Sequence, residues 1–95
     1  MEEFNSFIKL ISTRPGMYGI NRVEDINFMI YGFLYASKSE IHGNCISGFG
    51  EFVIKKYELK EDIHWCRLIR FYSTSDSHSL KLFRNLFEEF LSTIS

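Results

Sequence analysis

Apolar residues recur along this chain at intervals of three and four positions, which is the spacing of one face of an α-helix. The first such segment is residues 2–12, whose apolar positions are Phe4, Phe7, Ile8 and Ile11. Pro15 and Gly16 follow it, and a proline disfavours the α conformation of the residue before it. The first helix is therefore predicted to end before Arg14.

A wider apolar stripe predicts a second helix, which begins within residues 21–24 and ends near Ser39. Its buried positions are predicted to be Ile26, Met29, Ile30, Phe33 and Leu34, with Phe28, Tyr31 and Tyr35 beside them. A stripe of this width favours a central, deeply buried helix. Gly32 lies in its middle, where glycine costs ~1 kcal/mol relative to alanine. We therefore expect another helix to cross closely at this glycine.

Turn-forming residues are frequent in residues 41–50, which are predicted to form a loop. A third helix is predicted after it, with Phe49, Phe52, Val53 and Tyr57 on one face. A polar break at residues 59–62 precedes a fourth helix, which Asp62 is expected to cap. Its apolar positions are Trp65, Cys66, Leu68, Ile69 and Tyr72.

An oxygen-rich turn at residues 73–77 leads into the last helix, which is predicted to span about residues 76–93. Its inward positions are Leu80, Phe83, Leu86, Phe87, Phe90, Leu91 and Ile94. Strands are the competing interpretation of residues 49–54 and 66–72. Neither segment alternates cleanly, so helices are favoured. The prediction is a single all-α domain over residues 1–95, a compact bundle of about five helices joined by short turns.

The net charge of -1 argues against direct nucleic-acid binding, which usually needs a basic surplus on one face. No apolar run approaches the ~20 residues that span a bilayer. Glu2 and Glu3 stand where a signal peptide would be basic, so we expect a cytoplasmic protein without a membrane partner. Cys45 and Cys66 lack the spacing of a redox or metal motif and are expected to stay reduced, Cys66 in the core.

Candidate chemistry is sparse. His42, His64 and His78 lack the spacing of a zinc site, so no metal and no cofactor are predicted. The adjacent residues Asp76, Ser77 and His78 cannot fold into a catalytic triad and are better explained as a helix start. We expect no catalytic residue, no small-molecule substrate and no enzymatic activity.

Acidic residues gather near one turn, at Glu58, Glu61 and Asp62. Charge at a turn usually means a solvated surface. If the protein binds a cationic partner, these carboxylates are the candidate partner-binding residues, because opposite charge accelerates encounter.

The most distinctive segment is residues 14–19. Pro15 and Gly16 suit the two central positions of a type II turn. Met17 and Tyr18 are expected to anchor it, and Arg14 to hold helix-end carbonyls or a carboxylate across it. The turn is interpreted as a rigid connector between helices, with direct partner contact as the alternative.

The string Arg-Pro-Gly-Met-Tyr also occurs in the ATPase domains of type II topoisomerases, but their Asp-x-Gly-x-Gly motif is absent here. A longer pattern covers nearly the whole chain and resembles the small helical immunity proteins of bacterial polymorphic-toxin systems, such as the CdiI proteins of contact-dependent growth inhibition. The matching residues are Arg14, Pro15, Gly16, Met17, Tyr18, Gly32, Phe33, Phe49, Phe52, Val53, Tyr57, Trp65, Asp76, Leu80 and Phe83. Most of them are turn and core residue types, Trp65 among them.

The resemblance implies a cytoplasmic immunity protein that binds a cognate toxin domain 1:1 and neutralises it. The toxin would be a nuclease, such as a CdiA C-terminal RNase, blocked at its active-site cleft or at an exosite. The resemblance carries over no catalytic residue. The second hypothesis is a helical adaptor or regulatory module unrelated to toxins.

Overall fold

The computed structural model describes residues 2–94, and all regular structure in that range is helical. The α-helices are α1 (Glu2–Thr13), α2 (Val23–Ser37), α3 (Glu40–Lys56), α4 (Trp65–Tyr72) and α5 (Asp76–Ile94). A short 3-10 helix, Pro15–Tyr18, lies between α1 and α2. The prediction of a small bundle with five α-helices is confirmed, and helix is the correct assignment where strand was the alternative.

The core is built on aromatic rings contributed by four of the helices. Phe49 of α3 is fully buried, and its ring centroid lies 5.4 Å from that of Trp65 and 5.5 Å from that of Phe83. The centroids of Phe87 and Phe90 lie 5.1 and 5.8 Å from it. These rings join α3 to α4 and α5.

None of the helices within residues 2–94 is long and apolar enough to cross a membrane.

Helix α3 begins at Glu40, so the predicted loop at residues 41–50 is wrong. The reason is tertiary burial: His42, Cys45 and Phe49 lie on the inward face and outweigh the weak helix propensity of the glycines. Gly48 also allows a close approach, because a Cβ there would lie 3.3 Å from Cζ of Phe90. Gly48 therefore serves packing, not a turn.

Helix α2 is not the deeply buried helix that its apolar stripe predicted. Ile26 and Ile30 are buried, but Phe28, Tyr31 and Tyr35 are exposed. Gly32 is exposed as well, and a Cβ at this position would meet no atom within 4 Å. The expected close crossing of another helix at Gly32 is therefore wrong. The helix also ends earlier than predicted, because Lys38 takes a left-handed conformation with φ 52°.

The turn after α1 differs from the predicted type II turn. Gly19 adopts the left-handed conformation, with φ 70°, and Gly16 has no positive φ. Pro15 is instead the first residue of the 3-10 helix, a position that needs no backbone N–H. No residue of this helix is buried, and 70% of Met17 is exposed, so Met17 does not anchor the turn.

Two helix starts also differ from their predictions. His64, not Asp62, caps α4, because its Nδ1 atom accepts a hydrogen bond from the backbone N–H of Cys66 at 3.1 Å. Helix α5 begins at Asp76 as expected, but the hydroxyl of Ser75 accepts the N–H of His78. At the other end of α5, Ile94 is half exposed instead of inward.

Replacing Phe49 by alanine is expected to destabilise the fold by about 3–5 kcal/mol, the usual cost of emptying a buried aromatic site. Phe71→Ala is the matched control, because Phe71 is 78% exposed and its loss should change stability by at most about 0.5 kcal/mol. Urea unfolding followed by circular dichroism measures both changes. Equal free energies of unfolding for the two variants would contradict the central place given to Phe49.

Candidate protein interaction site

An ion pair joins one end of α2 to α4. The guanidinium of Arg70 donates from Nε to Oε2 of Glu24 at 2.9 Å and from Nη2 to Oε1 at 2.7 Å. The same Nη2 donates to Oδ1 of Asp76 at 2.9 Å, which ties the start of α5 to this end. The hydrogen bonds from Arg70 lower the pKa of Glu24 and raise that of Arg70 itself, so both groups stay charged.

A second contact joins α2 to the beginning of α4. Nε2 of His64 lies 3.2 Å from the hydroxyl oxygen of Tyr31. Because Nδ1 of His64 accepts the N–H of Cys66, the neutral ring carries its proton on Nε2 and donates it to Tyr31. Burial lowers the pKa of His64, which favours this neutral form. The hydroxyl proton of Tyr31 is left free to be donated elsewhere.

These two contacts show that α2 and α4 run antiparallel, and the surface beside them is aromatic. The exposed fractions are 68% for Phe28, 51% for Tyr31, 82% for Tyr35 and 78% for Phe71. We call these four residues the aromatic face. Phe71 shares a cleft with Glu24, which lies one helical turn from Phe28 on α2, so the α2 and α4 parts are neighbours.

The four side chains of the aromatic face together expose a large area. At roughly 200 Å² of surface per aromatic side chain, its exposed area amounts to about 550 Å². The largest apolar patch on a typical monomer is ~300–600 Å² and is often functional. Gly32 lies between Tyr31 and Tyr35 with open space above it, so a partner could approach the α2 backbone closely there.

The predicted acidic residues Glu61 and Asp62 border this face. Glu61 lines a groove with Arg67, Phe71 and Tyr72. Asp62 lines a second groove with Tyr31 and His64. Their carboxylates make no hydrogen bond or ion pair with other residues of the described range, and both are exposed.

The third predicted residue, Glu58, is exposed in a left-handed conformation with φ 55° just after α3. It lines neither of these grooves. The structure therefore brings two of the three predicted partner-binding residues to the aromatic face and leaves Glu58 beyond its edge.

The predicted turn residues lie apart from any such cluster. The side chain of Arg14 caps no helix end and pairs with no carboxylate of residues 2–94. Arg14, Gly16 and Tyr18 are exposed, and Pro15 is half-buried. Trp65 is 4% exposed and packs in the aromatic core.

The remaining candidate chemistry is structural. Both cysteines are free and buried, and burial raises the pKa of the Cys66 thiol to about 11. His42 stacks on Phe4 in the core, and Nδ1 of His78 accepts the backbone N–H of Thr74. No group of three or more His, Cys, Asp or Glu in the described part of the chain could hold a metal ion.

The sequence matches no family model, and the comparisons with curated proteins and with solved structures return no similar chain. The resemblance to immunity proteins stays a prediction. The aromatic face itself was missed by the sequence analysis, although Phe28, Tyr31 and Tyr35 already showed the spacing of one helical face.

The capping role of His64 predicts how stability depends on pH. The pKa of His64 is lower in the folded protein than its ordinary value of 6.5, so the folded state disfavours its protonation. Its contribution to stability is therefore present above about pH 6.5 and is lost as the pH falls through the folded-state pKa. Relative to His64→Asn, which keeps a capping oxygen but does not titrate, the wild type should lose stability between pH 7.5 and 5.

Urea unfolding at the two pH values measures this difference, and the other histidines cancel in the comparison. His64→Ala should cost about 1 kcal/mol at pH 7.5, the usual cost of a lost N-cap. The same pH dependence in the wild type and in His64→Asn would show that His64 does not act in this way.

Proposed function

We propose that this protein is an immunity protein that binds a cognate bacterial toxin domain in the cytoplasm and neutralises it in a 1:1 complex. The observation that carries the protein-binding part is the aromatic face, about 550 Å² of exposed aromatic surface on two helices fixed to each other. The resemblance of the sequence supports the class of partner, and a nuclease is the toxin it implies.

The residue types of the aromatic face favour a protein partner. Tyrosine, phenylalanine and arginine are enriched in protein interfaces, and tyrosine and arginine are frequent among residues that dominate binding energy. Arg67 is exposed and lines grooves on both sides of Phe71. A small-molecule site would instead be concave and would bury most of its ligand, whereas Phe71 and Tyr35 project from the surface.

The face is also preorganised for binding. Helices α2 and α4 are held against each other by the Glu24–Arg70 ion pair and the Tyr31–His64 hydrogen bond. Aromatic side chains have few rotatable bonds, so ordering them on a rigid helix costs little entropy. Preorganisation of this kind increases affinity without adding contacts.

Charge at the edge of the face suits a basic partner. The carboxylates of Glu61 and Asp62 there pair with no other residue of 2–94, and toxins that cleave RNA or DNA carry basic surfaces to hold phosphates. A basic toxin surface would meet aromatic anchors in the centre and carboxylates at the rim. Opposite charges of this kind steer association and fix orientation.

The first test is co-expression with the toxin domain encoded beside this protein's gene, followed by pull-down and a growth assay. We expect a 1:1 complex and rescue of growth. Replacing Phe28, Tyr35 and Phe71 together by serine should weaken binding by at least 100-fold, because central aromatic anchors contribute about 2 kcal/mol or more each. The free variant should remain folded, since all three side chains are exposed.

Leu10→Ser is the matched control, because Leu10 is a half-exposed apolar residue on α1 and should leave the affinity unchanged. No complex with the wild type and no rescue of growth would reject the immunity function. A complex that the triple variant forms with unchanged affinity would show that the toxin binds another surface.

The second test concerns the acidic residues near the α3–α4 connection. Changing Glu58, Glu61 and Asp62 together to lysine should weaken binding more at 20 mM salt than at 500 mM. At high salt, screening limits interactions between exposed charges to distances of about 10 Å or less. Glu40→Lys, at the start of α3, is the control for a charge change elsewhere. Affinity measured by surface plasmon resonance that is unchanged at low salt would remove these residues from the interface.

A further inference from the structure

One groove at the edge of the aromatic face has a chemistry of its own. It has a volume of about 410 Å³ and lies between α2, the middle of α3 and the start of α4. Tyr31 forms one wall, Ile46 and Ile54 contribute apolar surface, and the segment from Asp62 to Trp65 closes the other side. We call it the acidic groove, because Glu51 and Asp62 line it.

Two carboxylates line the acidic groove, those of Glu51 and Asp62, and no lysine or arginine does. Neither carboxylate makes an ion pair or hydrogen bond with the rest of residues 2–94. Glu24, Glu88 and Glu89 differ from them, because the carboxylate of each pairs with a basic side chain. The acidic groove therefore presents two carboxylates that form no ion pair within residues 2–94, beside apolar walls.

The other polar groups of the groove do not offset this charge. His64 uses Nδ1 as an acceptor for the backbone of α4 and gives its single proton to Tyr31, so its ring is neutral. Desolvation of the ring lowers the pKa of His64, which favours the neutral form. The hydroxyl of Tyr31 is left as a donor, which can bind a peptide carbonyl.

A long basic side chain fits this combination. The methylene stem of lysine or arginine packs on apolar surface while its charged head stays in polar surroundings. Here the stem would lie on the isoleucines, and the head would reach Glu51 and Asp62 in charge-assisted hydrogen bonds. The ring of Tyr31 adds a cation–π surface. Gly50 leaves room at the floor, where a Cβ would stand 3.7 Å from Cδ1 of the Trp65 ring.

We propose that the acidic groove binds the side chain of one arginine or lysine of the partner, with Glu51 and Asp62 as its carboxylate ligands. This inference rests on the proposed function for the identity of the partner, but the groove's preference for a cation can be tested without it. It also adds Glu51, a residue outside the acidic turn at residues 58–62, to the interface.

The direct test titrates the ¹⁵N-labelled full chain with acetyl-Gly-Arg-Gly-amide and follows backbone amide shifts by NMR. We expect saturable shifts, in the millimolar range, that centre on Gly50 and the residues around His64. The same peptide with citrulline in place of arginine has nearly the same shape without charge and should bind at least tenfold more weakly. Glu51→Gln combined with Asp62→Asn should weaken arginine binding at least tenfold.

Glu40→Gln is the matched control, because Glu40 is an exposed acid of the same helix outside the groove. Equal binding of the arginine and citrulline peptides, or arginine binding that the double variant keeps, would overturn the proposal. So would shifts that centre on another surface, or concentration-dependent shifts that reveal self-association through this groove.

The toxin complex separates this inference from the proposed function. If Glu51→Gln with Asp62→Asn binds the toxin as tightly as Glu40→Gln does, the groove is not part of the interface although the immunity function stands. If the wild type binds no toxin but does bind the arginine peptide in the groove, the immunity function fails and the cation site stands.

Discussion

The ring of Phe49 is the contact on which the arrangement of three helices depends. It lies on α3 and packs against Trp65 of α4 and against Phe83, Phe87 and Phe90 of α5, with no exposed surface. Tilted and edge-to-face aromatic pairs add ~0.5–1.5 kcal/mol each beyond burial of area. Burial of Phe49 among these four rings favours helix on both sides of it. This explains why a glycine-rich segment is helix and not loop.

The same core contact also positions the candidate interaction site. Trp65 is the first residue of α4, so its packing on Phe49 fixes where this helix starts. The residue before it, His64, is thereby placed to cap α4 and to donate to Tyr31. A helix of eight residues is not stable alone in water. The α4 part of the aromatic face is therefore present only when the core is formed.

The apolar periodicity of the sequence was sufficient to predict α1, α4 and α5 closely, because each has one apolar face. It failed where two forces compete at the same residues. In the first half of α3, local propensity favours a turn, whereas burial of His42 and Cys45 favours helix, and burial is not visible without the partner helices. The cap of α4 was misassigned for a similar reason, since the role of His64 depends on its ring geometry.

The candidate interaction site was harder to predict than the fold, because protein cores and protein interfaces use the same residue types. Helix α2 has apolar residues on nearly its whole circumference, and from the sequence this width indicates burial on all sides. The structure buries only one side, with Ile26 and Ile30, and leaves Phe28 and Tyr35 exposed. Neither propensity nor periodicity separates these cases, whereas exposure in the folded chain does.

An aromatic face alone would bind many surfaces, so the neighbouring charges matter for selectivity. A partner that covers the acidic groove removes water from Glu51 and Asp62, and a carboxylate buried without a partner costs at least ~1–3 kcal/mol. A basic side chain at the right position removes that cost by forming charge-assisted hydrogen bonds. An apolar or acidic surface would carry the full cost, even where it matches the shape of Phe28, Tyr35 and Phe71. The groove would then discriminate between partners mainly by destabilising complexes with apolar or acidic surfaces.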